Sequence, residues 1–465
     1  MNMMNVKRLT VMAFLGAGMF SGISAQESPL QADTLNGAKL PAQWDLQSCI
    51  DYALEQNITI RKNRMAAEST QIDVKTAKAA LFPSLSFSTS QQVVNRPYQE
   101  SSSRVSGSEI ISSNSKTSYN GNYGLNASWT IYNGSKRLKT IKQEQLDNQV
   151  AELDVAMSEN NIQESIAQVY IQILYAAESV RVNENTLQVS IAQRDRGQQL
   201  LDAGSIAKSD FAQLEAQVST DRYQLVTAQA TLQDYKLQLK QLLELDGENE
   251  MNVYLPALSD ENVLAPLPTK KDVYVSALAF RPEIEASKLN VEASELGIDI
   301  AKSGYFPTVS LSAGIGTNHT SGSDFTFGEQ VKNGWNNSIG LSVSVPIFNN
   351  RQTKSAIQKA KLQRETSMLS LLDEQKALYK TIEGLWLDAN NAQQRYAAAN
   401  EKLRSTQISY DLISEQFNLG MKNTVELLTE KNNLLQAQQE QLQAKYMAIL
   451  NTQLLKFYQG DKLAL

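Results

Sequence analysis

Cys49 and His319 are the single cysteine and the single histidine of this 465-residue chain, so thiol and imidazole chemistry have one candidate each. One cysteine closes no internal disulfide. Cys49 falls in a helical pattern with Leu46, Ile50 and Ala53, where a small buried apolar residue belongs. His319 stands in a polar stretch rich in Ser and Gly and reads as a solvated loop histidine. No His cluster, His-based triad or zinc site can be built from these two within one chain. Metal, cofactor and nucleophilic chemistry all lack candidates, and the chain is expected not to be an enzyme. The charge balance, 43 Lys and Arg against 49 Asp and Glu for a net −6, contains no basic block to support a nucleic-acid partner.

Near the N-terminus, Lys7 and Arg8 precede an apolar run from Leu9 to Phe20 and small residues ending in Ser24 and Ala25. That pattern predicts a secretory signal peptide over residues 1–25. The run is shorter than the ~20 apolar residues that span a bilayer. No Cys follows the cleavage region, so no N-terminal lipid anchor is expected. Mean hydropathy is −0.34, and no later stretch is long and apolar enough for a membrane helix. Membrane insertion would have to use β-strands, whose sequence signal is weaker.

The remainder is an internal two-fold repeat. Phe82-Pro83 matches Phe306-Pro307 at an offset of 306 − 82 = 224. Further on, WTIYNGSKRL from Trp129 matches VPIFNNRQTK from Val345, and Gly204 matches Gly420. Both pairs share an offset of 216, from 348 − 132 and 420 − 204. The first repeat covers 26–245 and the second 271–458, with a linker over 246–270 that carries Pro256, Pro266 and Pro268.

Each repeat holds two segments of period two. From Tyr119 the positions Tyr123, Leu125, Ala127, Trp129 and Ile131 are apolar, with Asn, Ser and Thr between them. The second copy follows through Trp335, Ile339, Leu341, Val343, Val345 and Ile347. Shorter partners follow each Phe-Pro. Strands are therefore predicted at about 83–95, 119–132, 307–317 and 335–348, with polar loops over 96–118 and 318–334. The polar face is nearly free of charge, and aromatics gather at the strand ends (Tyr119, Trp129, Tyr132, Trp335, Phe348) as membrane girdles do.

Past Asn350, Leu378, Ile382, Leu385, Ala389, Ala392, Tyr396, Ala399, Leu403, Thr406, Tyr410, Ile413 and Phe417 recur in steps of four and three. That is a coiled-coil seam, followed more loosely in the first copy by Ile162, Ile166, Val169, Ile173, Ala176, Val180 and Leu187. Helical hairpins are predicted over 135–245 and 351–458, turning at tips 201–209 and 418–425 through Gly204 and Gly420. A helix over 135–202 would be roughly 100 Å long at about 1.5 Å per residue. A secreted coiled-coil stalk would explain the heptads but not the strands.

Four strands cannot close a barrel, and open edges are not tolerated in lipid. Two copies would give eight strands, filled by their own side chains, whereas three give twelve and leave a passage. The order helix, Phe-Pro, strand, loop, strand, aromatic-Asn, long helix, Gly turn and helix, written twice, resembles the TolC family of outer-membrane efflux proteins from about Trp44 to Phe457. The resemblance implies a mainly α fold with β. Long antiparallel helical hairpins would form a periplasmic α-barrel, and four strands per chain would enter a twelve-stranded transmembrane β-barrel in a homotrimer. Segments between the helices would form an equatorial region.

It also implies a passive duct in the outer membrane and periplasm of a Gram-negative bacterium, in contact with outer-membrane lipid. An inner-membrane transporter of RND or ABC type would feed it through a periplasmic adaptor, or membrane fusion protein. The contact residues would be Ala203, Gly204, Ser205, Leu419, Gly420 and Met421, the other reading being that these residues, the glycines above all, only cap the helices. The family's acidic periplasmic constriction maps to Asp195 and Asp411, nine residues before each tip glycine, with Glu415 one turn on. Arg194 and Arg196 flank Asp195, and a plain solvated helix face is the other reading. Drug efflux, metal efflux and type I protein secretion share this architecture.

Overall fold

The computed structural model describes residues 41–98, 102–106, 109–113, 116–246, 251–256, 263–321, 323 and 325–464. The expected signal peptide lies outside them, as do residues 247–250 and 257–262 of the linker. Asp45 opens α1 (Leu46–Gln56) by accepting the Ser48 N–H at 2.7 Å. Asn57 ends α1 and caps α2 (Ile58–Ala79), its Oδ1 accepting from Thr59 and Ile60. Phe82-Pro83 follows, where a proline disfavours helical backbone at the residue before it, and the chain extends into β1 (Ser84–Asn95). A hairpin of β2 (Ser102–Ser106) and β3 (Glu109–Ser113) precedes β4 (Thr117–Asn133). Two long helices follow, α3 (Lys136–Asp202) and α4 (Lys208–Leu242).

The second half runs through α5 (Lys270–Phe280), α6 (Pro282–Lys302), β5 (Thr308–Thr320), the short helix α7 (Phe327–Asn333), β6 (Asn336–Ser344), α8 (Gln352–Asn418) and α9 (Thr424–Gln459). α3 and α8 are both 67 residues long, and they begin 352 − 136 = 216 positions apart. The polar segments expected as plain loops thus contain the β2–β3 hairpin and α7. Thr326 caps α7 by accepting from Glu329 N at 3.4 Å, while Glu329 accepts from Thr326 N at 2.8 Å.

The strands form one antiparallel sheet in the order β1-β4-β5-β6. A bulge between Thr130 and Tyr132 makes Ile131 an extra residue and pairs Tyr132 with Val309. The simple alternation predicted through Ile131 therefore breaks there, and Tyr132 rather than Ile131 continues the face of Trp129. Before each long helix, two successive residues take left-handed backbone: Gly134 and Ser135 (φ 67° and 63°), then Asn350 and Arg351 (φ 50° and 66°). A Cβ on Gly134 would stand 2.8 Å from Phe306 Cβ, so the turn from β4 into α3 needs glycine for space as well as for φ.

Two apolar clusters hold the helices. The larger lies around the linker and buries Trp44, Cys49, Ile166, Tyr170, Leu239, Val263, Ile382, Tyr396 and Ala448. Burial pushes the Cys49 thiol up to about 12, which leaves it unreactive at neutral pH. The linker is strapped across this core: Tyr254 N donates to Trp44 O at 2.8 Å, Gln393 Nε2 to the carbonyls of Val263 and Ala265, and Trp386 Nε1 to Pro268 O. The smaller cluster, Leu214, Phe417 and Leu427, sits near the helix ends. All twelve α8 seam positions from Leu378 to Phe417 are buried or half-buried. No helix among the described residues is long and apolar enough to cross a membrane.

Candidate channel wall and helix tips

The strand register sorts the sheet residues onto two faces. Leu85, Phe87, Leu125, Trp129, Leu311, Ile315, Ile339, Leu341 and Val343 share one face, and it is uncovered: Leu85 is 70% exposed and Ile339 82%. The other face carries Ser84, Ser86, Ser88, Asn122, Asn126, Ser128, Ser310, Ser312, Ser338 and Ser342, without a charge. Apolar side chains left open to the outside are stable only against another apolar phase. Among the expected girdle aromatics, Tyr119, Trp129 and Tyr132 occupy β4, Trp335 precedes β6, and Phe348 lies beyond its end at 84% exposure. Trp129 Nε1 donates to Leu81 O at 2.7 Å, tying the sheet to the segment after α2.

His319 corrects its sequence reading. It is the penultimate residue of β5, and its ring packs against Tyr119, Tyr123 and Phe327 rather than standing in a solvated loop.

At the opposite end both tips are built alike. Gly204 N donates to Leu201 O and Ser205 N to Leu200 O, at 2.9 and 2.8 Å. Gly420 N to Phe417 O and Met421 N to Gln416 O repeat the pair, both at 2.9 Å. These are Schellman closures, and the glycines have φ of 71° and 74°. Open space surrounds the position of a Cβ at either glycine. Ala203, Ser205, Leu419 and Met421 are exposed beside them, Leu419 and Met421 each at 70%. Asn423 and Glu426 cap α9 reciprocally.

Of the three acids singled out by sequence, Asp411 and Glu415 stand one turn apart on α8 and Asp195 stands on α3. Asp195 pairs with Arg194 at 2.5 Å on an exposed surface, Asp411 accepts from Gln407 at 2.9 Å, and Glu415 is exposed one turn further on. The hairpins are joined beside them: Gln193 Nε2 donates to Tyr410 Oη at 2.8 Å, and Arg196 Nη2 to Asn418 O at 3.2 Å.

Sequence reasoning missed a buried polar cluster that joins three helices. Lys431 of α9 bonds both Ser190 of α3 and Asp221 of α4, Ser190 also donates to Asp221, and all three are at least 97% buried. Burial holds the Lys431 ammonium below its ordinary pKa, against the opposing pull of Asp221. A signal was present. Lys431 continues the buried stripe Thr424, Leu427, Lys431, Leu434 of α9, just as Asp221 follows Leu214 and Val218, and Ser190 follows Asn183 and Leu187.

Among the described residues, a sheet with an uncovered apolar face, an uncharged polar face and two edges without a partner strand, continued by helices of 67 residues, has the build of a membrane-inserted channel protein. The profile of the outer membrane efflux protein family matches residues 49–244 and 273–460. The chain belongs to that family, and its place is the outer membrane. It is similar to the outer membrane efflux protein BepC of Brucella suis biovar 1 (strain 1330), 22% identical over 433 residues, covering 92% of this chain and 88% of BepC. It is 25% identical to the outer membrane protein TolC of Escherichia coli (strain K12) over 298 residues, covering 61% of this chain and 58% of TolC. A crystal structure of CusC superposes with a TM-score of 0.76 at 17% identity, covering 92% of this chain and 96% of that one, a likeness of fold.

Proposed function

We propose that three copies of this chain close a twelve-stranded barrel around the polar sheet face, and that their hairpins continue the passage through the periplasm as an α-helical tube. The carrying observation is the sheet itself: β1 and β6 are its outer strands, each with one edge unpaired among the described residues. A second copy supplies the partner that lipid cannot. The helices support the same closure. α6 packs between α3 and α8, whereas α2 packs on α3 and leaves Met65 and Ile72 exposed at 61% and 58%. By the repeat, that free face of α2 takes α8 of the neighbouring copy.

The passage is a passive duct. An inner-membrane pump delivers small molecules, drugs among them, through a periplasmic adaptor that docks on the tips at Ala203, Gly204, Ser205, Leu419, Gly420 and Met421. Metal efflux and type I protein secretion are the alternative cargo classes for the same duct. Fractionation of the producing cell tests this reading. It predicts an outer-membrane protein that migrates as a heat-modifiable trimer; a soluble, secreted fibre would support the coiled-coil stalk instead.

Asp411 and Glu415 form the acidic constriction of the trimer, with Asp195 turned to Arg194 and contributing less. Three carboxylates at one level of a narrow pore favour cations. Asp411→Ala is expected to lower the cation-over-anion permeability ratio of single channels in planar bilayers. An unchanged ratio assigns Asp411 to a solvated helix face.

A further inference from the structure

Gly121 of β4 lies opposite His319 of β5, and a Cβ there would collide with the imidazole Cε1. The space left by glycine lets the ring lie over the strand. It stacks on Tyr123 (centroids 5.9 Å apart, planes at 19°), leans on Tyr119 (5.2 Å) and is met edge-on by Phe327 of α7 (4.9 Å, 76°). These rings stand on the apolar face, at the end of the sheet farthest from the long helices. Two more contacts bind α7 there: Thr317 Oγ1 donates to Val331 O at 2.7 Å, and Thr320 N donates to Gln330 Oε1 at 2.8 Å. α7 therefore lies against the apolar side of the sheet. Its outward surface carries Phe325, Phe327 and Trp335, exposed at 53%, 47% and 58%, beside the charged Glu329 and Lys332.

We infer that α7 lies along the outer-leaflet boundary between lipid headgroups and acyl chains, anchored by Phe325, Phe327 and Trp335, and that His319 is the positioning residue holding it at that height. The occupant of this surface is lipid because the surface continues the uncovered face of Leu341, Ile339 and Ile315 without a break in the strands. Aromatic rings next to charged groups are the composition that partitions to the interface rather than to either bulk phase. A seven-residue helix is too short to cross the bilayer, so a membrane contact by α7 is one along the interface. The inference rests on the proposal that the apolar sheet face meets lipid.

Spin labels on the full-length protein, reconstituted in phosphatidylethanolamine–phosphatidylglycerol vesicles, test the two separately. In a Cys49→Ala background, single cysteines are placed at Leu341 in the mid-face, at Phe325, and at Tyr98, which is 96% exposed, as the water reference. Accessibility is read with dissolved oxygen, which partitions into lipid, and a water-soluble nickel chelate. The expected result is a Leu341 label open to oxygen and closed to nickel, and a Phe325 label at interfacial depth. Nickel accessibility of the Phe325 label should rise several-fold when His319→Ala is added, or Phe327→Ala if that variant fails to assemble. A Phe325 label as open to nickel as that at Tyr98, with Leu341 still in lipid, overturns the anchor alone. One closed to both reagents places a neighbouring copy over α7 and also overturns it. A nickel-accessible Leu341 label overturns the lipid-facing sheet itself.

Discussion

Asp221→Ala is expected to destabilise the folded protein by about 3–5 kcal/mol, the cost of leaving a buried charge without its partner. Lys431 is 3% exposed and has Asp221 and Ser190 as its polar partners on the neighbouring helices, so the ammonium cannot reach water without parting α9 from α3 and α4. Ser190→Ala removes a neutral hydroxyl and should cost about 1 kcal/mol. The double variant Asp221→Leu with Lys431→Met should recover most of the loss, since apolar side chains of similar volume often replace a buried ion pair without penalty.

The pH dependence distinguishes this from a packing defect. In Asp221→Ala the lysine keeps only the burial penalty, and its folded pKa falls further below the ordinary 10.5. Between those two values the unfolded chain holds a proton that the folded chain lacks, so stability rises with pH. The deficit of the variant should shrink as the pH is raised toward 10.5 and stay full below the folded pKa. Denaturant unfolding of the detergent-solubilised protein, followed by helix ellipticity, reads both. A loss under about 1 kcal/mol would mean that water already reaches the pair.

Gly204→Pro and Gly420→Asp are expected to abolish export while leaving protein in the outer membrane. Proline fixes φ near −65°, whereas Gly204 has φ 71° and donates its N–H to Leu201 O. The turn must therefore rebuild, and it carries Ala203 and Ser205 with it. Gly204→Ala isolates the backbone effect. Its Cβ meets nothing within 4 Å, so only the left-handed conformation is penalised, by about 1–2 kcal/mol. Export should persist in that variant. Asp at position 420 adds a charge between the exposed Leu419 and Met421, in the surface proposed to meet the adaptor. Wild-type export by Gly204→Pro would remove the tips from the docking surface.

The features legible from the sequence are those carried by local periodicity. A period of two marked the strands around Tyr123–Trp129, and steps of three and four marked the α8 seam, because each pattern records one face of one element. The glycine turns were legible because only a positive φ explains glycine at the end of a long helix. What escaped depends on pairings distant in the chain. Ser190 and Lys431 are 241 positions apart, and their contact exists only once α3, α4 and α9 lie side by side. The bulge at Ile131 is a shift in the pairing register of β4 on β5, which neither strand reveals alone. His319 looked solvated because its neighbours in sequence are polar, while its neighbours in space, Tyr119 and Tyr123, come from another strand and Phe327 from α7.

The closed channel is tested most directly by an electron cryomicroscopy map of the full-length protein in lipid nanodiscs. The expected map shows three copies about one axis, with β6 of each copy paired to β1 of the next, twelve strands in the barrel and the Ser/Asn face lining its lumen. A monomer or dimer with unpaired β1 and β6 edges, or a barrel with Leu85, Ile339 and Leu341 turned inward, would contradict it.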